Sequence, residues 1–241
     1  MITNFPLGHL KISQGDLKSC VSRVESAVRN HQKTYCLPLN LTKYVVSKDD
    51  LKLRKVINSA DIVIADGAPI YWFGRRLGYR GVRRISGIEM AEAILAGSKS
   101  HDWRVFLLGA RPENLERAVG YARTAFSDPV IAGFHHGYFH PDEVDRVIDS
   151  INASRADILF LAMGMPQKEY FIADYYDRID AVFWLPVGGA IDIWSQAKKR
   201  SNPLLTRLGL EWLQRSLYDR KKAKAVLKYG IDFAIDFLIR R

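Results

Sequence analysis

A chain of 241 residues with 48% hydrophobic content can bury one sizeable core, so a single main domain is expected. Its longest apolar runs, Ile158 to Met165 and Ala181 to Ile191, fall short of the roughly 20 residues that cross a bilayer, which excludes a spanning helix. The opening MITNFPLGHLK has no charged region leading into a long apolar stretch; no secretory signal is expected, and the chain should stay in the cytosol.

The elements alternate along the chain. Leu17, Cys20, Val21, Val24 and Val28 recur at helical spacing and predict a helix with one apolar face. A strand follows over Thr34 to Leu39 and ends on Asn40. Ser47 with Asp50 resembles a capping box at the start of the next helix. Ile62 to Ala65 reads as a buried strand that stops on Asp66 and Gly67, and Val105 to Leu108 as another, ending at Gly109. Pro112 and Pro141 suit first helical turns, where a missing N–H costs nothing. Strands over Val130 to Ala132, Ile158 to Ala162 and Ala181 to Val187 complete the set, followed by Gly133, by Gly164 to Glu169, and by Gly188 and Gly189. This is the pattern of an α/β, Rossmann-like fold, a mostly parallel sheet with helices on both faces. Ligands bind such sheets where strands end, because there helix N-termini present unpaired N–H groups. Asp66 therefore has two readings, a carboxylate at the cleft rim or a cap for the following helix.

Cys20 and Cys36 lie far outside any C-x-x-C spacing and read as ordinary reduced thiols. Neither a G-x-G-x-x-G after a strand nor a G-x-x-x-x-G-K-[ST] is present, which disfavours a nicotinamide enzyme or a P-loop. No D-x-D pair is available to hold a divalent ion against a diphosphate, and no G-x-S-x-G elbow supports a hydrolase. His135, His136 and His140 cluster, but Gly137, Tyr138 and Phe139 interrupt them and no acid or thiol is spaced to help, so a loop near the cleft is expected there and not a metal site. No metal and no cofactor are expected. Phosphate charge would be met by Arg83, Arg84, Lys168 and the Gly188-Gly189 turn, while acid or base work falls to Asp66, Glu169 or Asp192.

Charge is concentrated at the carboxyl end. From Gln196 onward twelve basic residues face four acids, a net +8 of the chain's +10. The expected organisation is a core over 1–195 and a basic helical appendage over 196–241. Lys224, Lys228, Asp232, Asp236 and Arg240 are spaced by four and predict one polar stripe, with Val226, Leu227, Ile231, Phe233, Ile235, Phe237 and Leu238 on the remaining surface. Such a helix buries its wide apolar face in the protein body, in another subunit or in a membrane interface. The basic run from Arg220 to Lys224 favours anionic lipid, at about 1 kcal/mol per nearby lysine or arginine. Nucleic acid is disfavoured, since no helix-turn-helix and no basic strand face with exposed aromatics is evident.

The ordered set LPLN (37–40), ADIVIADG (60–67), RISGIEM (84–90), VFLLGARPENLE (105–116), GFHHGYF (133–139), DILFLAMGMPQKEYF (157–171), VGGAIDIWS (187–195), KKRSNP (198–203) and LGLEWLQR (208–215) resembles the WecG/TagA/CpsF glycosyltransferases, glycosyltransferase family 26. The resemblance implies an inverting, metal-independent hexosyltransferase that moves sugar from a nucleotide diphosphate, UDP by expectation, to a polyprenyl-diphosphate-linked saccharide in bacterial exopolysaccharide or other cell-envelope polysaccharide synthesis. It also implies an appendage that closes the site and holds the enzyme peripherally on the inner face of the plasma membrane. By the same resemblance Asp66 is the general base, with Gly67 beside it, and Asn40 and Arg84 orient sugar or acceptor and meet diphosphate charge. Gln167, Lys168 and Glu169 belong to the donor region, Gly188, Gly189 and Asp192 lie near the nucleotide, and Arg207, Glu211 and Arg215 match the appendage, with an arginine reaching back to phosphate.

Two departures stand out. Pro38 replaces the family's usual threonine two positions before the asparagine, and the pattern P-x-Q-E appears here as Pro166-Gln167-Lys168-Glu169. A lysine in place of an amide could retune donor choice, and it motivates an alternative, a non-catalytic nucleotide- or lipid-diphosphate-binding protein on the same fold. Whether the chain is a homo-oligomer is open.

Overall fold

The computed structural model describes residues 2–198 and 220–239. In chain order the elements are β1 (Thr3–Leu7), β2 (Leu10–Gln14), α1 (Leu17–Arg29), β3 (Thr34–Leu39), α2 (Leu41–Val46), α3 (Leu51–Ser59), β4 (Ile62–Ala65), α4 (Ala68–Arg76) and α5 (Gly87–His101). They continue with β5 (Val105–Gly109), α6 (Pro112–Ala125), β6 (Ile131–His135), α7 (Val144–Ala153), β7 (Ile158–Ala162), α8 (Gln167–Tyr175), β8 (Phe183–Pro186), α9 (Ala190–Trp194) and α10 (Arg220–Ile239). Short 3-10 turns cover Pro141–Glu143 and Tyr176–Arg178. A six-stranded sheet runs β4-β3-β8-β7-β5-β6, with β1 and β2 forming a separate antiparallel hairpin. The α/β fold expected from alternating strand and helix patterns is the one observed.

The chain divides into two compact units. The first holds the residues up to Asp16, Pro38–Ser86 and α10. Its hairpin is legible in hindsight, since alternating TNFPL and LKISQ flank a two-residue turn that begins at Gly8 with φ +65°. Within this unit β2 lies against β4, and the Ser13 hydroxyl accepts from Val63 N–H at 2.7 Å. That covers a strand edge that would otherwise offer free backbone groups. The predicted capping box resolves differently. Asp50 caps α3 by accepting from Leu53 N–H at 2.8 Å, whereas Ser47 ends α2 and donates its hydroxyl to the Tyr44 carbonyl. The six residues of α2 stop just short of Ser47, so its side chain faces back into the turn it terminates. Phe233 of α10 is 8% exposed within this unit, a burial worth about 2 kcal/mol.

The second unit contains Leu17–Leu37 and the chain from Gly87 through α9. Its strands pair in parallel, β5 with β6 and β7, and β7 with β8. Val105–Leu108 and Ile158–Leu161 are wholly buried, as continuous apolar runs in a sheet covered on both faces should be. On α1 the predicted apolar face turns inward through Cys20 and Val24, joined by Ala27. Cys20 and Cys36 are free and buried.

The fourth predicted strand is displaced. Instead of Val130 to Ala132, β6 occupies Ile131–His135 because pairing with β5 continues to Leu108 opposite His135. Gly133 therefore lies inside the strand, over the Phe106 ring, and His135 ends it, so only His136 onward forms the expected loop. The last sheet strand is Phe183–Pro186, two residues shorter at its start and one at its end than the sequence suggested.

At the carboxyl end of β5, Gly109 has φ +132°, and a Cβ there would sit 2.4 Å from the Ala162 carbonyl carbon. Only glycine allows the ends of β5 and β7 to approach this closely. Ala110 N–H donates to Ala162 and its carbonyl accepts from Gly137, so the turns after β5, β6 and β7 are tied at one end of the sheet.

Candidate active site

In the first unit, the strand ends assemble a compact group. Asp66 follows β4, and its N–H donates to the Leu39 carbonyl at 2.9 Å, which places it beside the end of β3 and next to Asn40. Ala65 forms a parallel bridge with Arg84, and Ile85 N–H donates to the Ala65 carbonyl at 3.1 Å. Backbone pairing thus brings Asn40, Asp66, Gly67 and Arg84 to one edge. Asp66 and Asn40 are half-buried and Arg84 is exposed.

The local sequence explains the turn. Gly67 has φ +109° and ψ 159°, a conformation closed to side chains with a Cβ, and it occupies the N-cap of α4, with Pro69 in the first turn. The cap position therefore belongs to Gly67, which has no side chain to cap with, and Asp66 stands one residue outside the helix. Asn40 does cap a helix. Its Oδ1 accepts from Lys43 N–H at 3.0 Å at the start of α2. This capping bond uses the amide oxygen alone; the Nδ2 group is a second, donor function of the same side chain. The buried Lys43 ammonium donates to the Pro38 carbonyl at 2.7 Å, the position where the family usually has threonine.

The second unit carries two further groups. After β7 the chain turns through a cis Met165–Pro166 peptide into α8. Gln167 is exposed at the start of this helix, while Lys168 and Glu169 point inward. Lys168 Nζ lies 3.2 Å from Glu169 Oε1, with side chains 6% and 0% exposed. A buried ammonium needs a counter-charge, and Glu169 supplies one. The exchange of glutamine and lysine thus puts the amide at the surface and the cation against the carboxylate.

After β8, Gly188 turns with φ +56° and Gly189 caps α9. Among the described residues, nothing lies within 4 Å of the position a Cβ would take on either glycine. Asp192 in the first turn of α9 accepts from Asn114 Nδ2 at 3.2 Å and pairs with Lys198 through its other carboxylate oxygen. Neither Asn114 nor Lys198 stood out as a site residue in the sequence. The signal for Asn114 was its place in the first turn of the helix that Pro112 starts after β5.

The three histidines engage local backbone. His135 Nδ1 is 2.8 Å from the His136 carbonyl, His136 Nδ1 lies 3.3 Å from Tyr138 N, and His140 forms a capping box with Glu143. Arg207, Glu211 and Arg215 lie outside the described residues.

Carboxylates, amides and cations at the ends of parallel strands suit recognition and transfer of a polar, phosphorylated substrate. The model of the WecG/TagA/CpsF glycosyl transferase family matches residues 5–241, nearly the entire chain, in agreement with the ordered motifs. The protein belongs to that family and is a glycosyltransferase.

Proposed function

We propose that the protein is an inverting, metal-independent hexosyltransferase that takes its sugar from a nucleotide diphosphate, UDP in the first instance, and passes it to a polyprenyl-diphosphate-linked saccharide. Asp66 is the general base. It accepts the proton of the acceptor hydroxyl as that oxygen attacks the anomeric carbon and the nucleotide diphosphate departs. A carboxylate serves because the transition state is oxocarbenium-like and proton removal need only accompany bond formation. The observation that carries this reading is the half-buried Asp66 at the carboxyl end of β4, outside the helix cap and paired through its backbone to the end of β3. Asn40 and Arg84 are assigned to the sugar or acceptor and to diphosphate charge. Gln167, Gly188, Gly189 and Asp192 are assigned to the donor and Arg207 and Arg215 to phosphate, while Lys168 and Glu169, buried against each other, are assigned no contact with it.

The test is incubation with a panel of nucleotide sugars and a lipid-diphosphate acceptor, followed by analysis of the product's anomeric configuration. One donor should yield free nucleotide diphosphate and a lipid-linked product of inverted configuration, undiminished by a chelator. Retention of configuration, or chelator-sensitive turnover, would overturn the corresponding part of the proposal.

The acceptor is a lipid, and the site of work proposed is the inner face of the plasma membrane, with the protein bound peripherally. Among the described residues no helix is long and apolar enough to cross a membrane. The carboxyl-terminal +8 supplies attraction to anionic headgroups, and Ile231, Ile235 and Leu238 of α10 are 57%, 49% and 66% exposed. Replacing these three by serine is expected to weaken binding to anionic vesicles roughly tenfold or more, since each loses apolar area that lipid would cover. Sedimentation with vesicles measures it. Unchanged vesicle binding with a loss of self-association would assign the stripe to a second copy of the chain.

A further inference from the structure

The helix α10 meets α2 and α4 through a polar pair set in an aromatic cluster, all within the first unit. The Tyr44 ring stands edge-on to Phe73 at 5.7 Å and to Phe233 at 5.5 Å, Phe73 and Phe233 are 5.4 Å apart, and Phe237 lies 5.9 Å from Phe73. Among these rings the Tyr44 hydroxyl donates to Asp236 Oδ2 at 2.9 Å, and Lys48 Nζ lies 2.8 Å from the same oxygen. Lys48 also donates to the Asp232 carbonyl, and the Arg76 guanidinium covers Phe237 at 5.0 Å. On the far side of Tyr44, the His9 ring lies 4.7 Å away, and a Cβ at Gly8 would collide with the tyrosine hydroxyl.

The orientation of α10 is informative. Two faces of α10 are apolar: the one turned inward carries Phe233 and Phe237 together with the Asp236 carboxylate, 16% exposed, and the other leaves Ile231, Ile235 and Leu238 exposed. A carboxylate set among these rings is satisfied only where Tyr44 and Lys48 meet it, so it favours one register of α10 over a slide along the aromatic face. The register fixed here concerns the two helices that begin at the site. Tyr44 N–H donates to the Asn40 carbonyl at 3.0 Å, one turn from the cap, and Phe73 lies in α4, which opens on Gly67 directly after Asp66.

We infer that Tyr44 and Asp236 are positioning residues for the transfer reaction. By clamping α2 and α4 together, α10 holds Asn40 and Asp66 at the spacing the reaction needs. The inference rests on the assignment of Asp66 and Asn40 made above. It also gives the C-terminal helix two faces with separate tasks, one toward α2 and α4 and one, through Ile231, Ile235 and Leu238, toward an outside surface.

The test uses the full-length protein with a nucleotide-sugar donor and a detergent-dispersed lipid-diphosphate acceptor. It compares Tyr44→Phe, Asp236→Asn, their combination, Asp236→Glu and Asp66→Asn. Each of the first two should lower kcat about tenfold, the worth of a hydrogen bond to a charged group, with the donor KM unchanged. The combination should lose less than the product of the two single losses, because Tyr44 and Lys48 meet on one carboxylate oxygen and both changes weaken the same seam, and Asp236→Glu, which keeps the charge, should restore most of the rate. Hydrogen exchange adds a reading independent of turnover. The Lys43 and Tyr71 amides should exchange faster in Tyr44→Phe while those of β5 and β7 keep their protection. Wild-type kcat and unaltered Lys43 exchange in both variants would overturn the inference, as would losses that follow a loosening of the whole protein, β5 and β7 included. A loss in Tyr44→Phe without one in Asp66→Asn would retire Asp66 as the base and leave the coupling standing.

Discussion

Asp66→Asn should reduce turnover by about 10²- to 10⁴-fold, the usual range for a general base, while nucleotide affinity and thermal stability stay near the wild-type values. The expectation follows from position. Asp66 follows a strand whose four residues are all buried, yet is itself half-buried and outside the α4 cap, so asparagine occupies the same space without disturbing core or helix start. What changes is basicity: the amide accepts a hydrogen bond but does not take the proton. Release of nucleotide diphosphate measures the rate, and calorimetric titration with the nucleotide measures binding. Wild-type turnover in the variant would remove Asp66 from the chemistry. A loss of nucleotide affinity equal to the loss of rate would instead make it a binding residue.

Glu169→Gln should be the most destabilising of the conservative changes discussed, by about 3–5 kcal/mol, because it leaves the buried Lys168 ammonium without its carboxylate. Glutamine matches glutamate in shape, so the penalty is one of charge and not of packing. Both side chains are almost fully buried, which leaves water little chance to compensate. Adding Lys168→Met to Glu169→Gln should recover most of the loss by removing the charge that Glu169 balanced. Urea unfolding at unchanged m reads both effects. A single variant as stable as wild type would mean that the ammonium finds another counter-charge, and the pair would then contribute nothing specific.

The same pair shows where sequence reading reached its limit. The departure from P-x-Q-E was visible in the sequence, and a lysine facing the donor was a reasonable expectation. That Lys168 points inward to Glu169 while Gln167 is exposed depends on how α8 rotates as the chain leaves the cis Pro166 turn, which neighbouring residues alone do not dictate. The hairpin of β1 and β2 went unread for a related reason. Each of its strands offers only two apolar residues, Phe5 and Leu7 in one and Leu10 and Ile12 in the other, and the contact that docks it, through Ser13 to β4, is non-local.

The amino-acid sequence determined by itself the parallel strands, their continuous apolar runs and the polar or glycine residues at their ends, because period and burial are written locally in Ile62–Ala65, Val105–Leu108 and Ile158–Ala162. It also carried the ordered motifs by which the family is identified. Only the tertiary structure decided which residues at those ends meet. Asn40, Asp66 and Arg84 are joined by backbone bonds between segments well separated along the chain. It decided the facing of α10 as well. Spacing by four grouped Asp236 with a solvated stripe, but the docked helix turns Asp236 to Tyr44 and Lys48 and leaves Ile231, Ile235 and Leu238 outside. A helical period shows which residues share a face, but the partners available, here the rings of Tyr44 and Phe73 with a hydroxyl and an ammonium among them, select which face is buried.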